Sequence, residues 1–342
     1  MSSRRRRHGF TLVELLVVIT IIGMLMAMMF PALGSIIEAV RNVGCQSNLN
    51  SVYKGVTLYE SGVAKGFPGL VEAGKKSKRY PNGVPMTWAV SILNQLGDAN
   101  IHTTWYDPQD GSPEMIVAPV KAYFCGSDNA DNNSEQQLSY VINAGSISDG
   151  AEPAIAGATG GRVAKDLDVR LRSNGIAFNR YTTTPGFVAP KITRSTFRKG
   201  AQFMALLSEN IQAWNWGDKR QINGAPLPYD DRINRKSSGA VEAQMYTGFV
   251  WDGLQINEGT PDKPDFNLIY EAPDPRWARP SSNHPDGVNM VFCSGQVRFV
   301  RNRIQRHVYQ SLCMTDPKHA ISGEKNGLDP QVRAYEPNED DF

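Results

Sequence analysis

From Phe10 to Phe30 the chain runs FTLVELLVVITIIGMLMAMMF, 21 residues with one charged side chain, Glu14. A helix rises about 1.5 Å per residue, so this stretch reaches about 30 Å, the thickness of a hydrocarbon core. Four arginines, Arg4, Arg5, Arg6 and Arg7, stand immediately before it. Basic residues are retained on the cytoplasmic side of a membrane, so a span placed here carries everything after Pro31 across. No second stretch of comparable length and apolarity follows. The expected arrangement is a single-pass inner-membrane protein with a cytoplasmic N-terminus and a periplasmic or extracellular head.

Two ordinary alternatives are a cleaved secretory signal and a plain uncleaved anchor. A secretory signal has a shorter, uncharged apolar region ending in small residues. Here the region holds Glu14 and ends in Met28-Met29-Phe30-Pro31, without an A-x-A pattern.

The residues Arg7-His8-Gly9-Phe10-Thr11-Leu12-Val13-Glu14 resemble the processing site of type IV prepilins and pseudopilins: a short basic leader, Gly before the cut, Phe after it, then T-L-x-E-L-L. The resemblance implies that a prepilin peptidase cuts between Gly9 and Phe10 and N-methylates Phe10, and that the apolar run is kept. It also implies homo- or hetero-assembly with other pilin-like subunits. In that reading the Glu14 carboxylate pairs with the Phe10 amine of a neighbouring subunit and sets the axial register. The local alternative is that Glu14, near the cytoplasmic end, snorkels to the interface.

Beyond Pro31, where a kink is expected, helical spacing continues to about Tyr59. Leu33, Ile36, Ile37, Val40 and Val43 follow it, as do Leu49, Val52, Val56 and Tyr59. The polar positions between them, among them Glu38, Arg41, Asn42 and Gln46, are assigned to other faces of an amphipathic helix packed on the head. Ser61-Gly62 is expected to end it. The domain organisation is therefore a leader at 1–9, a transmembrane helix at 10–30, its amphipathic continuation at 31–62, a globular head at 63–322 and an acidic, loose tail at 323–342.

The head is rich in Gly, Pro, Asn and Asp between short apolar runs, which predicts an α+β fold with long loops and an antiparallel sheet. Met86–Leu96 reads as a short helix, Ser139–Ile142 and Gln202–Ser208 as strands, and Asn302–Leu312 as a closing helix. The clearest hairpin is Val288–Phe292 with Val297–Phe299, turning at Cys293-Ser294-Gly295-Gln296.

These pieces resemble a large bacterial family of prepilin-like proteins of unknown function with a C-terminal H-x9-DG signature. His284 is followed by nine residues and then Ser294-Gly295, so Ser replaces the family's Asp. Cys45-Gln-Ser-Asn48-Leu49 resembles its C-x-x-N-L, and Phe124-Cys125-Gly-Ser127 partly matches C-P-S. Ser139, Tyr140, Asn143 and Gly145 match S-Y-x-x-N-x-G, and Glu209-Asn210 matches a strand ending in E-[NRT]. The middle, about 149–280, is expanded and unmatched. The four cysteines, Cys45, Cys125, Cys293 and Cys313, allow three full pairings in an oxidising compartment, and sequence does not choose among them. Cys125 and Cys293 each lie beside a family motif, which makes their pairing the working expectation.

Catalytic chemistry finds little support. There is no H-E-x-x-H, C-x-x-C, G-x-S-x-G, P-loop or dinucleotide fingerprint. His284, Asp286 and Glu209 are candidates for a metal or acid–base site, but His284 reads more simply as bonding backbone at the start of the hairpin. Asp107–Gly111 and Asp128–Asn133 suit Asx turns better than calcium loops. Trp214 and Trp216 offer either a sugar-stacking face or packing. No enzyme activity, metal or cofactor is expected.

With 36 Lys+Arg against 34 Asp+Glu, the formal charge is +2. Loss of residues 1–9 removes four arginines and no acid, leaving 32 basic against 34 acidic side chains, a mature charge of −2. That excludes a nucleic-acid partner as the main theme. Two functions remain: a structural subunit of a pilus-like or type II secretion pseudopilus fibre, or a membrane-tethered module binding a solute or polymer.

Overall fold

The computed structural model of the chain describes residues 10–76, 83–106, 119–128, 138–146, 172–178, 180–181, 190–211, 213, 248–251, 256–257, 278–320 and 330–341. The leader with Gly9, the segment 107–111, residues 129–133, and Trp214 and Trp216 lie outside these residues.

Helix α1 (Leu12–Tyr59) is 48 residues long and continuous through Pro31. Thr11 caps it: the Thr11 side chain accepts from the Glu14 amide, and the Glu14 carboxylate accepts from the Thr11 amide at 2.9 Å. This reciprocal arrangement is a capping box, which satisfies two amides that the first turn would otherwise leave open. Glu14 thus has a local task within its own chain. At the other end α1 passes Ser61-Gly62 in a π-helical turn, Glu60–Ala64, that closes on Lys65 in a left-handed conformation.

The head is α+β. Strands β1 (Val71–Ala73) and β2 (Pro85–Thr87) form a small antiparallel pair. The segment expected as one helix divides there. Pro85–Thr87 pairs as strand, and the Thr87 side chain accepts from the Val90 amide to start α2 (Trp88–Ser91). Then follow α3 (Leu93–Leu96) and α4 (Ala99–Tyr106). The main sheet contains β3 (Tyr140–Asn143), β4 (Ala205–Glu209), β5 (Gly248–Phe249), β6 (Gly287–Phe292) and β7 (Val297–Arg301) in the order β5-β3-β4-β6-β7. All neighbours are antiparallel except β3 and β5. Strand β4 is the one expected at Gln202–Ser208, whereas β5 comes from the middle of the chain for which no element was expected.

The sheet is a middle layer because β6 is apolar on both faces. Val288, Met290 and Phe292 point into one cluster with Val308, Tyr309 and Leu312 of α5 (Arg306–Cys313). Val291 and Cys293 point into the other, with Cys45, Leu49, Val52, Val56 and Tyr59 of α1. Each of the fully buried α1 side chains contributes about 1.5–3 kcal/mol by leaving water. Asn289 is the polar exception on the α1 side, and it is fully buried.

Two expectations about surfaces are corrected. Ile36, Ile37, Val40 and Val43 do not face the head; they are 52–68% exposed. The buried stripe of α1 instead runs back from Tyr59 through Val56, Val52, Leu49 and Cys45, in steps of three and four, to Asn42 and Glu38. The tail is not loose at 330–341. Val332 of α6 (Pro330–Ala334) is buried in the α5 cluster, Tyr335 stacks edge-on against His307, and Glu339 pairs with Arg298 at 2.6 Å.

Candidate functional site

The stripe's polar extension meets the start of β6. His284, whose side chain is wholly buried, stands between two carboxylates. Its Nδ1 lies 2.5 Å from Glu38 Oε1 on α1, and its Nε2 lies 3.2 Å from Glu209 Oε1 at the end of β4. The ring therefore bonds side chains, not backbone as the sequence suggests; only the His284 amide makes a local bond, to Ser282 Oγ. Burial opposes protonation of this imidazole. Hydrogen bonds and charge from Glu209, then from Glu38, outweigh it, and the His284 pKa stands above its ordinary value. An imidazolium donating from both nitrogens satisfies both acids.

The carboxylates are held in turn. Glu209 accepts from the Asn289 amide at 2.8 Å and from Asn289 Nδ2 at 2.9 Å. Asn289 Nδ2 also donates to Asn42 Oδ1, and Gln46 Nε2 donates to Asn289 Oδ1 and Asn42 Oδ1. Ser127 Oγ donates to Glu38 Oε1. The result is a closed polar network joining α1, β4 and β6 inside an apolar core. Sequence reasoning missed Glu38, Asn42, Gln46 and Asn289. The available signal was the 3.5-residue repeat of buried positions, which lands on Cys45, Asn42 and Glu38 when carried backwards.

The disulfide lies against this network, but its pairing differs from the expected one. Cys125 is bonded to Cys45, with Cα atoms 4.9 Å apart and a sequence separation of 80. Cys293, the expected partner, faces α1 from the far end of β6 and remains a buried thiol, as does Cys313. Burial pushes both thiols' pKa values up, which leaves them poor nucleophiles. Closing an 80-residue loop stabilises the fold by about 4.5 kcal/mol in a chain-entropy account. Cys125 Sγ is 3.6 Å from His284 Nε2 and 3.7 Å from Glu209 Oε1.

The other signature residues have structural tasks at the opposite end of β6. Gly295 has φ +94, and a Cβ there would lie 2.9 Å from the Tyr53 ring of α1. Ser294 Oγ accepts from the Gln296 amide, so Ser maintains the turn without the family's carboxylate. His284 and Gly295 thus bracket β6 and seat its two ends against α1, at Glu38 and at Tyr53. Gly295→Ala is expected to cost about 1–3 kcal/mol from left-handed strain and the Tyr53 approach. Urea denaturation of the detergent-solubilised chain measures this, with Ser294→Ala expected within about 0.5 kcal/mol of wild type.

The S-Y-x-x-N-x-G residues brace the same region. Tyr140 Oη donates to the Cys45 carbonyl at 3.0 Å. Asn143 Nδ2 donates to the carbonyls of Ala205 and Cys313, and Asn143 Oδ1 accepts from the Gly145 amide. The segments carrying the family resemblance, around Cys45, Cys125, Tyr140, Glu209 and His284, thus converge on one place.

Comparison with known families agrees with that convergence. The family model described as a protein of unknown function (DUF1559) matches residues 35–307, the middle of the chain included. A second model, the prokaryotic N-terminal methylation motif, matches residues 4–30. Neither the curated proteins nor the solved structures contain a match. With most of its length covered from α1 to α5, and a prepilin-type methylation segment ahead of it, the chain belongs to the DUF1559 family.

Proposed function

We propose that this protein is a non-catalytic structural subunit, cut after Gly9 by a prepilin peptidase, methylated at Phe10, and assembled through α1 into a pilus-like or secretion pseudopilus fibre with its head outside the cytoplasm. The methylation motif supports the processing. The observation that carries assembly is the exposed face of α1. Leu12 to Met29 are exposed throughout, and the apolar face continues through Ile36, Ile37, Val40 and Val43 before turning polar at Ser47, Ser51 and Lys54. From Phe10 to Val43 this covers about 50 Å at 1.5 Å per residue. A hydrocarbon core hides about 30 Å. The surplus lies outside the bilayer and short of the head, where the α1 helices of neighbouring subunits would cover it.

Val40→Glu tests this, because Val40 is 68% exposed and makes no part of the head's core. Fibre recovery is expected to fall at least tenfold while the urea midpoint of the head is unchanged. Undiminished fibres would overturn the assembly reading. Glu14→Lys separates it from a tethered binding module, which would keep its function without assembly.

A further inference from the structure

Cys45, Cys125, Glu209 and His284 are all buried, and one potential ligand atom from each lies within 4.8 Å of all the others. Zinc bonds sulfur at about 2.3 Å and nitrogen or oxygen at about 2.0–2.1 Å. A tetrahedron of those bonds has sulfur–nitrogen and sulfur–oxygen edges of about 3.5–3.6 Å and a nitrogen–oxygen edge of about 3.3 Å. The protein holds Cys125 Sγ to His284 Nε2 at 3.6 Å, Cys125 Sγ to Glu209 Oε1 at 3.7 Å, and His284 Nε2 to Glu209 Oε1 at 3.2 Å. These three edges already have the lengths of a tetrahedral zinc site. Cys45 Sγ lies within 4.8 Å of the other three ligand atoms; forming the site means lengthening the edge between the sulfurs, now a bond, and seating Cys45 Sγ at the fourth corner.

The surroundings of the ligands point the same way. A metal-bound histidine commonly gives its other ring N–H to a carboxylate, which fixes the tautomer and aims the free nitrogen at the ion. Glu38 does this for His284 Nδ1 at 2.5 Å and is itself held by Ser127 Oγ. Asn289 holds both oxygens of Glu209. We propose that in the dithiol state Cys45, Cys125, Glu209 and His284 form a closed tetrahedral site for a zinc-class cation, which replaces the disulfide as the cross-link between α1 and the head. Disulfide and metal exclude each other, since both use the same two sulfurs.

The chemistry balances with a dithiol as reductant. One thiolate of the reagent attacks a sulfur of the Cys45–Cys125 bond, and the departing cysteine sulfur takes a proton. The reagent's second thiol then displaces the other cysteine and closes to a cyclic disulfide, leaving two cysteine thiols in the protein. Binding of the divalent cation sends two thiol protons and the His284 Nε2 proton to water. Two thiolates, one carboxylate and a neutral imidazole remain around the ion.

The test uses the full-length processed chain in detergent, reduced with a dithiol, desalted without oxygen, and titrated with Co²⁺ and then Zn²⁺. The expected result is one Co²⁺ per chain, with thiolate-to-cobalt charge-transfer absorption and visible bands of tetrahedral intensity, displaced by one equivalent of Zn²⁺. The unreduced chain is expected to bind none. Cys293→Ala with Cys313→Ala should keep the bands, whereas Glu38→Gln should weaken affinity about 10–100-fold, as loss of an outer-shell partner does. The proposal is overturned if the reduced chain shows no thiolate–cobalt band, or if His284→Gln and Glu209→Gln leave affinity unchanged. Unfolding of the reduced wild type by circular dichroism with Zn²⁺ present would also overturn it, because a cross-linking ion holds the fold that the disulfide held.

Discussion

Replacing Gly9 by Val should leave essentially every copy of the protein carrying its first nine residues. Glycine lets another group come close to the backbone, and a β-branched side chain at the cleaved position would hold a peptidase's reacting groups away from the bond between Gly9 and Phe10. A loss of at least about a hundredfold in cleavage, or about 2.7 kcal/mol of transition-state stabilisation, is expected. Two further readouts follow without another variant. The uncut chain keeps Arg4 to Arg7 and a formal charge of +2 instead of −2, so it separates on isoelectric focusing. Its Phe10 nitrogen stays in a peptide bond, so intact mass shows no added methyl group. Normal cleavage in a cell that holds the peptidase would end the prepilin reading, even though residues 4–30 match the methylation motif.

The second large effect is expected at His284. In the disulfide-bonded, metal-free chain, His284→Ala removes the group that joins Glu38 to Glu209 and leaves a buried carboxylate without its cation. Deleting one partner of a buried ion pair typically costs about 3–5 kcal/mol, because the remaining charge keeps its desolvation penalty and loses its compensation. Glu38, at 23% side-chain exposure, can recover some water, while Glu209 at 2% cannot. Glu209→Gln in the His284→Ala background should therefore restore part of the loss, and a double-mutant cycle by urea denaturation measures it. The pH dependence has a definite sign. The His284 pKa is raised in the folded protein, so its contribution is complete below the ordinary imidazole range and is lost as pH rises through the raised value. The wild type should lose stability from mildly acidic to mildly alkaline solution, and His284→Gln should flatten that slope. An equal slope in both proteins would exclude His284 as its source.

Several features were readable because they depend on neighbours in sequence. The apolar run, the basic leader and the T-x-x-E start of α1 are local patterns. The β6–β7 hairpin was also legible, since alternating apolar residues around Ser294-Gly295 specify strand, turn and strand within about fifteen positions. Closing helix α5 was legible from its apolar spacing.

The α1 helix shows where such reading stops. It carries two apolar stripes, one through Ile36, Val40 and Val43 and one through Leu49, Val52 and Val56. Periodicity identifies both, and a helix unbroken through Pro31 sets them on different faces, but it does not say which of the two the head covers. Polar Glu38, Asn42 and Gln46 looked like solvent-facing residues because an isolated helix gives them no partner. Their distant partners are Asn289 of β6 and His284 just before it, up to 247 residues away.

By itself, then, the sequence determined a single apolar span behind a basic leader, a prepilin-type cleavage segment, and an α+β head closed by a hairpin. These follow from composition and from periods of two and 3.6 residues. Only the tertiary structure decided that Cys125 pairs with Cys45, that His284 bridges two acids, and that the apolar face ending at Val43 is left uncovered by the head. Each of those depends on the rotation of α1 about its axis against the register of β4 and β6. That rotation is set by the packing of Leu49, Val52 and Val56 into the sheet, and no local pattern encodes it.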